Sequence, residues 1–449
     1  MGRSVRGEFA YQAVYRYLEA LIAQVDPDGD GRLPSLRDLA QRLRVSLATV
    51  QSAYGLLEHE GRVRSVPKSG YFVRFGSRDT GVTLPRPQAR PLFALPMPSP
   101  PPLERALLAQ ERRLSRQAAR RGAGDALLRN ALAARYTRSS GHYWSAEHVH
   151  LGSDVQALLE TVLLALRLRG ATALVAAPCC WRLLQALQRA GMRVIEVPLE
   201  AGGGLDLDSL ARLLDREPVR LVVMPSCLGM PLGHLMPVGD QQAIAALLAQ
   251  HPAWLLENDL DSEHCYDGPP ASRLRDLAAP RRLLVLGTLE ATVGAEAPYA
   301  YVLCRHAGVG EACARRGFLL PPLRQQALAH LYARGDIDAC LPALRAALRA
   351  GMERLCQRVE AYLGDQLTFA MPQGGWALWV CLRYPADLQH VQEAVAGTAL
   401  LVVPGRSFSL QGRYRQHLLL IWQGECRDAL DRALRALGGA LAQAPRPAS

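Results

Sequence analysis

The sequence predicts an α/β protein: a large domain on a mostly parallel sheet, a smaller α+β subdomain, and a compact basic helical module ahead of both. Three observations carry that expectation. From about Leu103 onward, short apolar runs alternate with amphipathic stretches, the pattern of strands covered on both faces by helices. Residues 8–76 have their own helical periodicity, turn clusters and a basic hairpin. Between the two, residues 77–103 hold Pro85, Pro87, Pro91, Pro96, Pro98, Pro100, Pro101 and Pro102, which reads as a semi-extended linker. The expected organisation is therefore 1–76, a linker 77–103, and a domain 104–445.

Composition narrows the class. A chain of 449 residues, 49% hydrophobic and 21% charged, is expected to be soluble, globular and multidomain. The most apolar run, Ala157–Leu168, is interrupted by Glu160 and is too short for a membrane span. The first residues lack a signal-peptide stretch, so a cytoplasmic location is expected, with no membrane partner. Ten cysteines occur without a C-x-x-C pair, which excludes the common zinc spacings. They read as reduced, mostly buried thiols, with the adjacent Cys179 and Cys180 the one pair that suggests redox sensing. The net charge of +11 suits a polyanionic partner. Among 52 basic residues only Lys68 is a lysine, so any lysine-dependent covalent chemistry must use Lys68 or does not exist.

In the first module, Tyr11, Val14, Tyr15, Leu18, Leu21 and Ile22 recur at helical spacing over Phe9–Gln24. Asp26-Pro-Asp-Gly-Asp-Gly-Arg ends that helix; it lacks the final Glu of a calcium loop and reads as a turn. Ser35 caps a short helix through Leu43, and Ser46 caps a third whose inner stripe is Val50, Tyr54 and Leu57. Leu47, Ala48, Gln51 and Ser52 form its outer face. Two strands around Pro67-Lys-Ser-Gly close the unit. Helices followed by a basic hairpin make a winged helix, which places its third helix in a major groove. Residues 1–75 hold 11 basic and 8 acidic side chains, a net of +3, so DNA affinity must come from placement rather than bulk charge.

The runs Leu33-Pro-Ser-Leu-Arg-Asp-Leu-Ala, Val45-Ser-Leu-Ala-Thr-Val-Gln-Ser-Ala-Tyr and Lys68-Ser-Gly-Tyr-Phe-Val resemble the GntR-type winged helix. The resemblance implies contacts to double-stranded promoter DNA from Ser35, Arg37, Ser46, Thr49, Lys68, Ser69 and Gly70. Gln51 joins them from its outward position. Leu47 stands where the family often has Arg.

In the large domain the strand candidates are Ala173–Ala176, Arg193–Val197, Arg220–Met224, Trp254–Glu257, Leu283–Leu286 and Tyr299–Cys304. Helical segments Asp154–Leu168, Trp181–Ala190, Leu207–Leu214 and Gln241–Gln250 lie between several of them. A helical stretch at Arg324–Leu363 then leads to Trp376–Leu382 and Leu400–Val403, expected in the smaller subdomain. The order of Gly124-Asp-Ala-Leu-Leu-Arg, Gly152-Ser-Asp-Val-Gln-Ala-Leu, Pro231-Leu-Gly, Glu257-Asn-Asp-Leu-Asp-Ser-Glu, Pro372-Gln-Gly-Gly-Trp and Val403-Pro-Gly-Arg-Ser-Phe resembles a fold-type I aminotransferase domain. With the winged helix, this is the arrangement of the MocR branch of GntR regulators.

That resemblance implies a pyridoxal 5'-phosphate site, and the sequence departs from it position by position. Gly287-Thr-Leu-Glu-Ala-Thr puts Ala291 where the family has its Schiff-base lysine. Asn258 stands for the carboxylate on the pyridine nitrogen, Leu260 for the following Tyr, and Met230 for the Asn before Pro-x-Gly. Pro298 aligns with the phosphate-binding Arg, Glu290 adds negative charge nearby, and Leu419 aligns with the Arg that grips a substrate carboxylate. Only the helix start after Gly152 keeps amides suited to a phosphate.

The expectation is a DNA-binding regulator with no catalytic residue, no cofactor and no metal, whose aminotransferase-like domain serves homodimerisation and sensing of an unidentified small-molecule effector. Two other readings stay open: an aminotransferase-like enzyme that holds the cofactor noncovalently, and a protein-interaction scaffold. The first predicts cofactor absorbance in the purified protein, the second a partner retained without DNA. No G-x-S-x-G, H-E-x-x-H or Walker A motif offers other chemistry, Gly202-Gly-Gly reads as a loop, and His264-Cys265 beside Glu263 reads as a surface turn rather than a metal site.

Overall fold

The computed structural model describes residues 14, 17–18, 21–22, 33–43, 45–59, 63–66, 70–73, 101–116, 124–200, 202–294, 296–424 and 426–443. The chain divides into two compact units, Met1–Pro87 and Gln88–Ser449.

In the first unit, helices Leu36–Leu43 and Leu47–His59 precede an antiparallel hairpin of β1 (Val63–Val66) and β2 (Gly70–Val73). Leu39, Val50, Tyr54, Leu57, Val63 and Val73 close one small core with Val14 and Leu18. Tyr54 fixes the hairpin to the helices: its ring stacks on Tyr71 at 4.2 Å between centroids, and its hydroxyl donates to the Pro34 carbonyl at 2.6 Å. The Leu33 amide adds a bond to the Tyr71 carbonyl at 2.8 Å.

The first described helix of the second unit, Pro101–Arg116, starts within the last three residues of the stretch expected as linker. Pro101 and Pro102 occupy its first turn, where the missing N–H groups would have no helical acceptor. Leu103, Leu107 and Leu114 are buried at helical spacing and anchor it to the core.

A seven-stranded sheet follows. It contains β3 (Val149–Gly152), β4 (Thr172–Ala177), β5 (Arg193–Pro198) and β6 (Val219–Pro225). A small hairpin, β7 (Leu228–Gly229) and β8 (His234–Leu235), lies outside it and leads to β9 (Trp254–Asn258), β10 (Leu283–Thr288) and β11 (Ala300–Leu303). The strand order is β3-β11-β10-β9-β6-β4-β5, and β11 runs opposite to the other six strands. Alternate residues enter two cores: Leu174, Val222, Leu255 and Val285 on one face, and Ala173, Val223, Leu256 and Leu286 on the other. Each strand candidate of the sequence lies on one of these strands, with ends shifted by a residue or two.

The smaller subdomain is an antiparallel sheet in the order β12 (Leu367–Phe369), β13 (Leu378–Leu382), β15 (His417–Trp422) and β14 (Leu400–Pro404). Helices Asp336–Leu363 and Arg427–Ala442 bury Leu344, Leu355, Val359, Leu434 and Leu437 in its core. The helical stretch expected at Arg324–Leu363 is two helices, Pro322–Ala333 and Asp336–Leu363, because Gly335 takes a left-handed conformation at φ 75°.

An ionic knot sits where β6 and β9 end. Arg275, 1% exposed, pairs with Glu257 at 2.7 Å and with Asp259 at 2.9 Å. The Ser226 hydroxyl donates to Glu257 at 2.7 Å, Tyr136 donates to Asp259, and the Tyr136 and Tyr301 hydroxyls lie 3.0 Å apart. Burial pushes the Glu257 carboxyl up, whereas Asp259, despite the same push, is held below its ordinary range by Arg275 and Arg273. Gly287 makes room for this knot: a Cβ there would meet the Tyr301 ring at 2.4 Å.

Arg275→Met should lower stability by about 3–5 kcal/mol, because it leaves the buried Glu257 without its cation and Asp259 with Arg273 alone. Adding Glu257→Gln and Asp259→Asn should recover part of that loss. Urea denaturation of the single and triple variants checks this; equal stability of the single variant and the parent would contradict it.

Candidate functional sites

In the winged unit, Ser35 and Ser46 act as helix caps. The Ser35 hydroxyl accepts from the Asp38 amide at 3.2 Å and donates to the Asp38 carboxylate at 2.8 Å. Ser46 accepts from the Thr49 amide at 3.1 Å, and the two hydroxyls lie 2.7 Å apart. These caps hold the two helix N-termini, and that of Leu47–His59, with no acidic residue in its first turn, suits a phosphate. Arg37 and Gln51 are exposed and Thr49 is half-buried, while Leu47 presents an apolar side chain 46% exposed. Gly70 opens β2 at φ 105°, with open space where a Cβ would be. Lys68 and Ser69 lie outside the described residues, as do most of the first helix and the Asp26–Arg32 turn.

In the second unit, three of the seven positions named from the aminotransferase resemblance meet in one pocket. Met230, Leu260 and Leu419 line it with Trp181, Trp376, Val403 and Phe408. Trp181, Met230, Phe408 and Leu419 are each under a tenth exposed and pack together with Ala377, Val403 and Ile421. The space left is about 50 Å³, a few water molecules at most.

The other four positions lie around or away from this pocket. Asn258 is buried at the end of β9, and its side-chain oxygen accepts from the Leu260 amide at 3.3 Å. Ala291 is buried in the turn Glu290–Val293, with its carbonyl 2.9 Å from His264 Nε2. Pro298 is exposed just before β11. Gly152 ends β3 against the helix Val155–Ala165, where a Cβ would strike Leu158 at 2.7 Å.

The start of that helix differs from what the sequence suggested. Asp154 caps it, accepting from the Ala157 amide at 2.8 Å and from the Ser153 hydroxyl at 2.8 Å. A carboxylate thus occupies the ground a phosphate would need, using the amide and adding a repelling charge.

Two charged groups of the pocket lining are paired with each other. Arg182 bonds Glu290 at 3.2 Å. Asp261, 6% exposed, is pushed up to about 6 by burial, against the opposing pull of Arg182. Sequence reading passed over Trp181, Arg182, Phe408 and Asp261. The Ser-Asp ahead of an apolar helical run was a legible cap signal for Asp154. His264, expected at a surface turn, is fully buried against the Ala291 carbonyl, and Cys265 is buried with it. Cys179 and Cys180 are buried thiols whose pKa values burial raises, which favours the unreactive form. Among the described residues no cluster suits a metal, and no helix is long and apolar enough to cross a membrane.

Because burial weakens Asp261 as an acid, the folded chain keeps a proton that the unfolded chain releases between its ordinary 3.8 and about 6. Stability from this group falls as pH rises through that window, by up to about 1.4 kcal/mol per unit, and the cost is complete above it. Asp261→Asn should remove the dependence, so the variant gains on the parent toward neutrality. Parallel stability–pH curves for the two proteins would refute this.

Comparison with known proteins fits both units. Residues 98–419 match the family "Aminotransferase class I and II", and residues 10–73 match "Bacterial regulatory proteins, gntR family". YjiR, an HTH-type transcriptional regulator of Escherichia coli K12, is 24% identical over 96% of this chain and 99% of its own length. The probable rhizopine catabolism regulatory protein MocR of Rhizobium meliloti is 26% identical over 63% of each chain. PdxR, the pyridoxine biosynthesis regulator of Corynebacterium glutamicum, is 28% identical over 68% of this chain and 69% of its own. Among solved structures, Pyrococcus horikoshii kynurenine aminotransferase superposes at a TM-score of 0.67 and 19% identity over 78% of this chain and 89% of that one. The α-aminoadipate aminotransferase LysN of Thermus thermophilus gives 0.67 and 21% over 78% and 91%. A GntR winged helix joined to a class I and II aminotransferase domain makes this chain a member of the MocR branch of GntR transcriptional regulators.

Proposed function

We propose that this protein reads promoter DNA as a homodimer, and that its aminotransferase-like domain performs no pyridoxal phosphate chemistry. The observation that carries the second half is the apolar pocket. Where the family holds a charged cofactor, Trp181, Met230, Leu260, Phe408 and Leu419 leave about 50 Å³. The residues present do not fit the group. Ala291 offers no amine, Asn258 no carboxylate, and Asp154 has taken the helix start. A phosphate dianion placed there would lose its hydration, and the one arginine of the lining, Arg182, is already paired with Glu290.

On this reading the winged unit supplies the function. Ser35, Ser46 and Thr49 fix helix ends at phosphates, Arg37 and Lys68 contribute charge, and Gln51 faces base edges from helix Leu47–His59. Ser69 and Gly70 let the wing approach the backbone closely. Leu47 offers a thymine methyl an apolar contact in place of an arginine's hydrogen bonds. MocR and PdxR are named as regulators of catabolism and of pyridoxine biosynthesis, and transcriptional control is the part of those descriptions brought to this chain.

Replacing Arg37 or Lys68 with Ala should weaken operator binding. Each phosphate left without its cation should also reduce the slope of log affinity against log salt by about one unit. Fluorescence anisotropy across a salt series reads both; unchanged affinity and slope in both variants would refute the assignment.

Light scattering on the full chain should give twice the 49.0 kDa chain mass. A monomer at micromolar concentration would refute the dimer. Incubation with excess pyridoxal phosphate, then borohydride reduction, should leave the mass of residues 104–445 unchanged. A stoichiometric adduct there would overturn the proposal for this domain while leaving the DNA assignment standing.

A further inference from the structure

A second cavity in the large unit, of about 300 Å³, shares no lining residue with the apolar pocket. Helix Gly124–Ser139, the segment after β9, the approach to helix Leu274–Leu277 and the first turns of helix Asp336–Leu363 enclose it. Its wall is dominated by guanidiniums.

Three of these are already committed. Arg135 pairs with Glu263 and Asp338, Arg345 with Glu263, and Arg275 with Glu257 and Asp259. Arg273 and Arg138 are in surplus, because among the described residues neither side chain makes a direct ion pair or hydrogen bond, although Arg273 stands near enough to Asp259 to help hold its charge. Arg138 is exposed at the cavity rim, whereas Arg273 is 5% exposed. Arg273 Nε finds no partner, nor do the buried Arg275 Nε and Asp259 Oδ1. A buried guanidinium with no hydrogen-bonded counter-ion is costly, and it lines a space large enough for a small metabolite.

We propose that this cavity binds a small dianion that carries a hydroxyl, either a hydroxy-dicarboxylate or a phosphate group. Two negative charges match the two surplus arginines, whose planar forks suit carboxylate or phosphate oxygens. The unpaired Asp259 oxygen accepts from the ligand hydroxyl. Because Asp338 and Arg345 sit on the helix that carries the smaller subdomain's core, occupancy ties that subdomain to the large sheet. The proposal concerns binding alone and stands whether or not the protein regulates transcription.

Isothermal titration of the full-length protein with inorganic phosphate and with L-malate, at constant ionic strength in chloride, tests it. Saturable binding of at least one anion is expected. Removing one charge-assisted hydrogen bond, in Arg273→Gln or Arg138→Gln, should weaken it about tenfold. Arg349→Gln, whose side chain pairs with Asp267 and Glu353 outside the cavity, should leave it unchanged. Binding of phosphate alone assigns the phosphate class, and binding of malate alone the hydroxy-dicarboxylate class. If Arg273→Gln does not fold, the exposed Arg138→Gln still decides the matter. No saturable binding of either anion at millimolar concentration, affinity kept in the cavity variants, or an equal loss in Arg349→Gln would overturn the proposal.

Discussion

The large domain is organised around the buried pairing of Arg275 with Glu257 and Asp259. Three charges in so dry a place persist only if each is held from several sides, and here they are. Ser226 supplies a donor from the end of β6, Tyr136 another from helix Gly124–Ser139, and Tyr301 completes the chain from β11. The Arg275 guanidinium lies 4.8 Å from the Tyr136 ring centroid. Elements far apart in sequence are thereby fixed at the end of the parallel strands, the place where open α/β sheets position their sites. Gly287 is the geometric condition for it, since any side chain would displace Tyr301.

The alternation of a strand end then sets two environments back to back. Glu257, Asp259 and Glu263 belong to the charged side, where arginines outnumber their partners. Leu260 belongs to the apolar side, with Met230 and Leu419. The remaining polar groups there, Arg182, Glu290 and Asp261, offset one another, and burial keeps Asp261 a weak acid. A pocket so lined gains from excluding water and has little to offer a charged ligand. On the proposed reading, the fold has kept its framework and reassigned one pocket from binding to packing.

The sheet was legible because its strands are buried on both faces and so appear as near-continuous apolar runs such as Ala173–Ala176 and Leu283–Leu286. The helices of the first unit were legible from their caps, Ser35 and Ser46. Prolines misled at Pro101, where a helix's first turn tolerates them, and Gly335 split a helical stretch that periodicity alone had joined. Met230, Leu260 and Leu419, which meet in the pocket, could each be singled out from the sequence. Their clustering could not, since Met230 and Leu419 meet only through the packing of the smaller subdomain against the large sheet. The charged cavity left no signal in a chain with 52 basic residues, because an arginine's lack of a partner is a property of three dimensions.

The near-absence of lysine constrains what both large-domain sites can do. A lysine ammonium is compact and can be deprotonated, which lets it serve as a nucleophile; a guanidinium stays charged and planar and binds anions instead. A domain whose basic residues are all arginine has many planar cations for anions and no amine for a Schiff base. The two sites agree with that constraint in different ways. The pocket of Met230, Leu260 and Leu419 is packed with apolar side chains, and the cavity lined by Arg135, Arg138, Arg273 and Arg345 is open. If a ligand acts on this protein, charge complementarity directs it to the second site, where binding would draw together the helix that opens the smaller subdomain and the strand end that anchors the sheet.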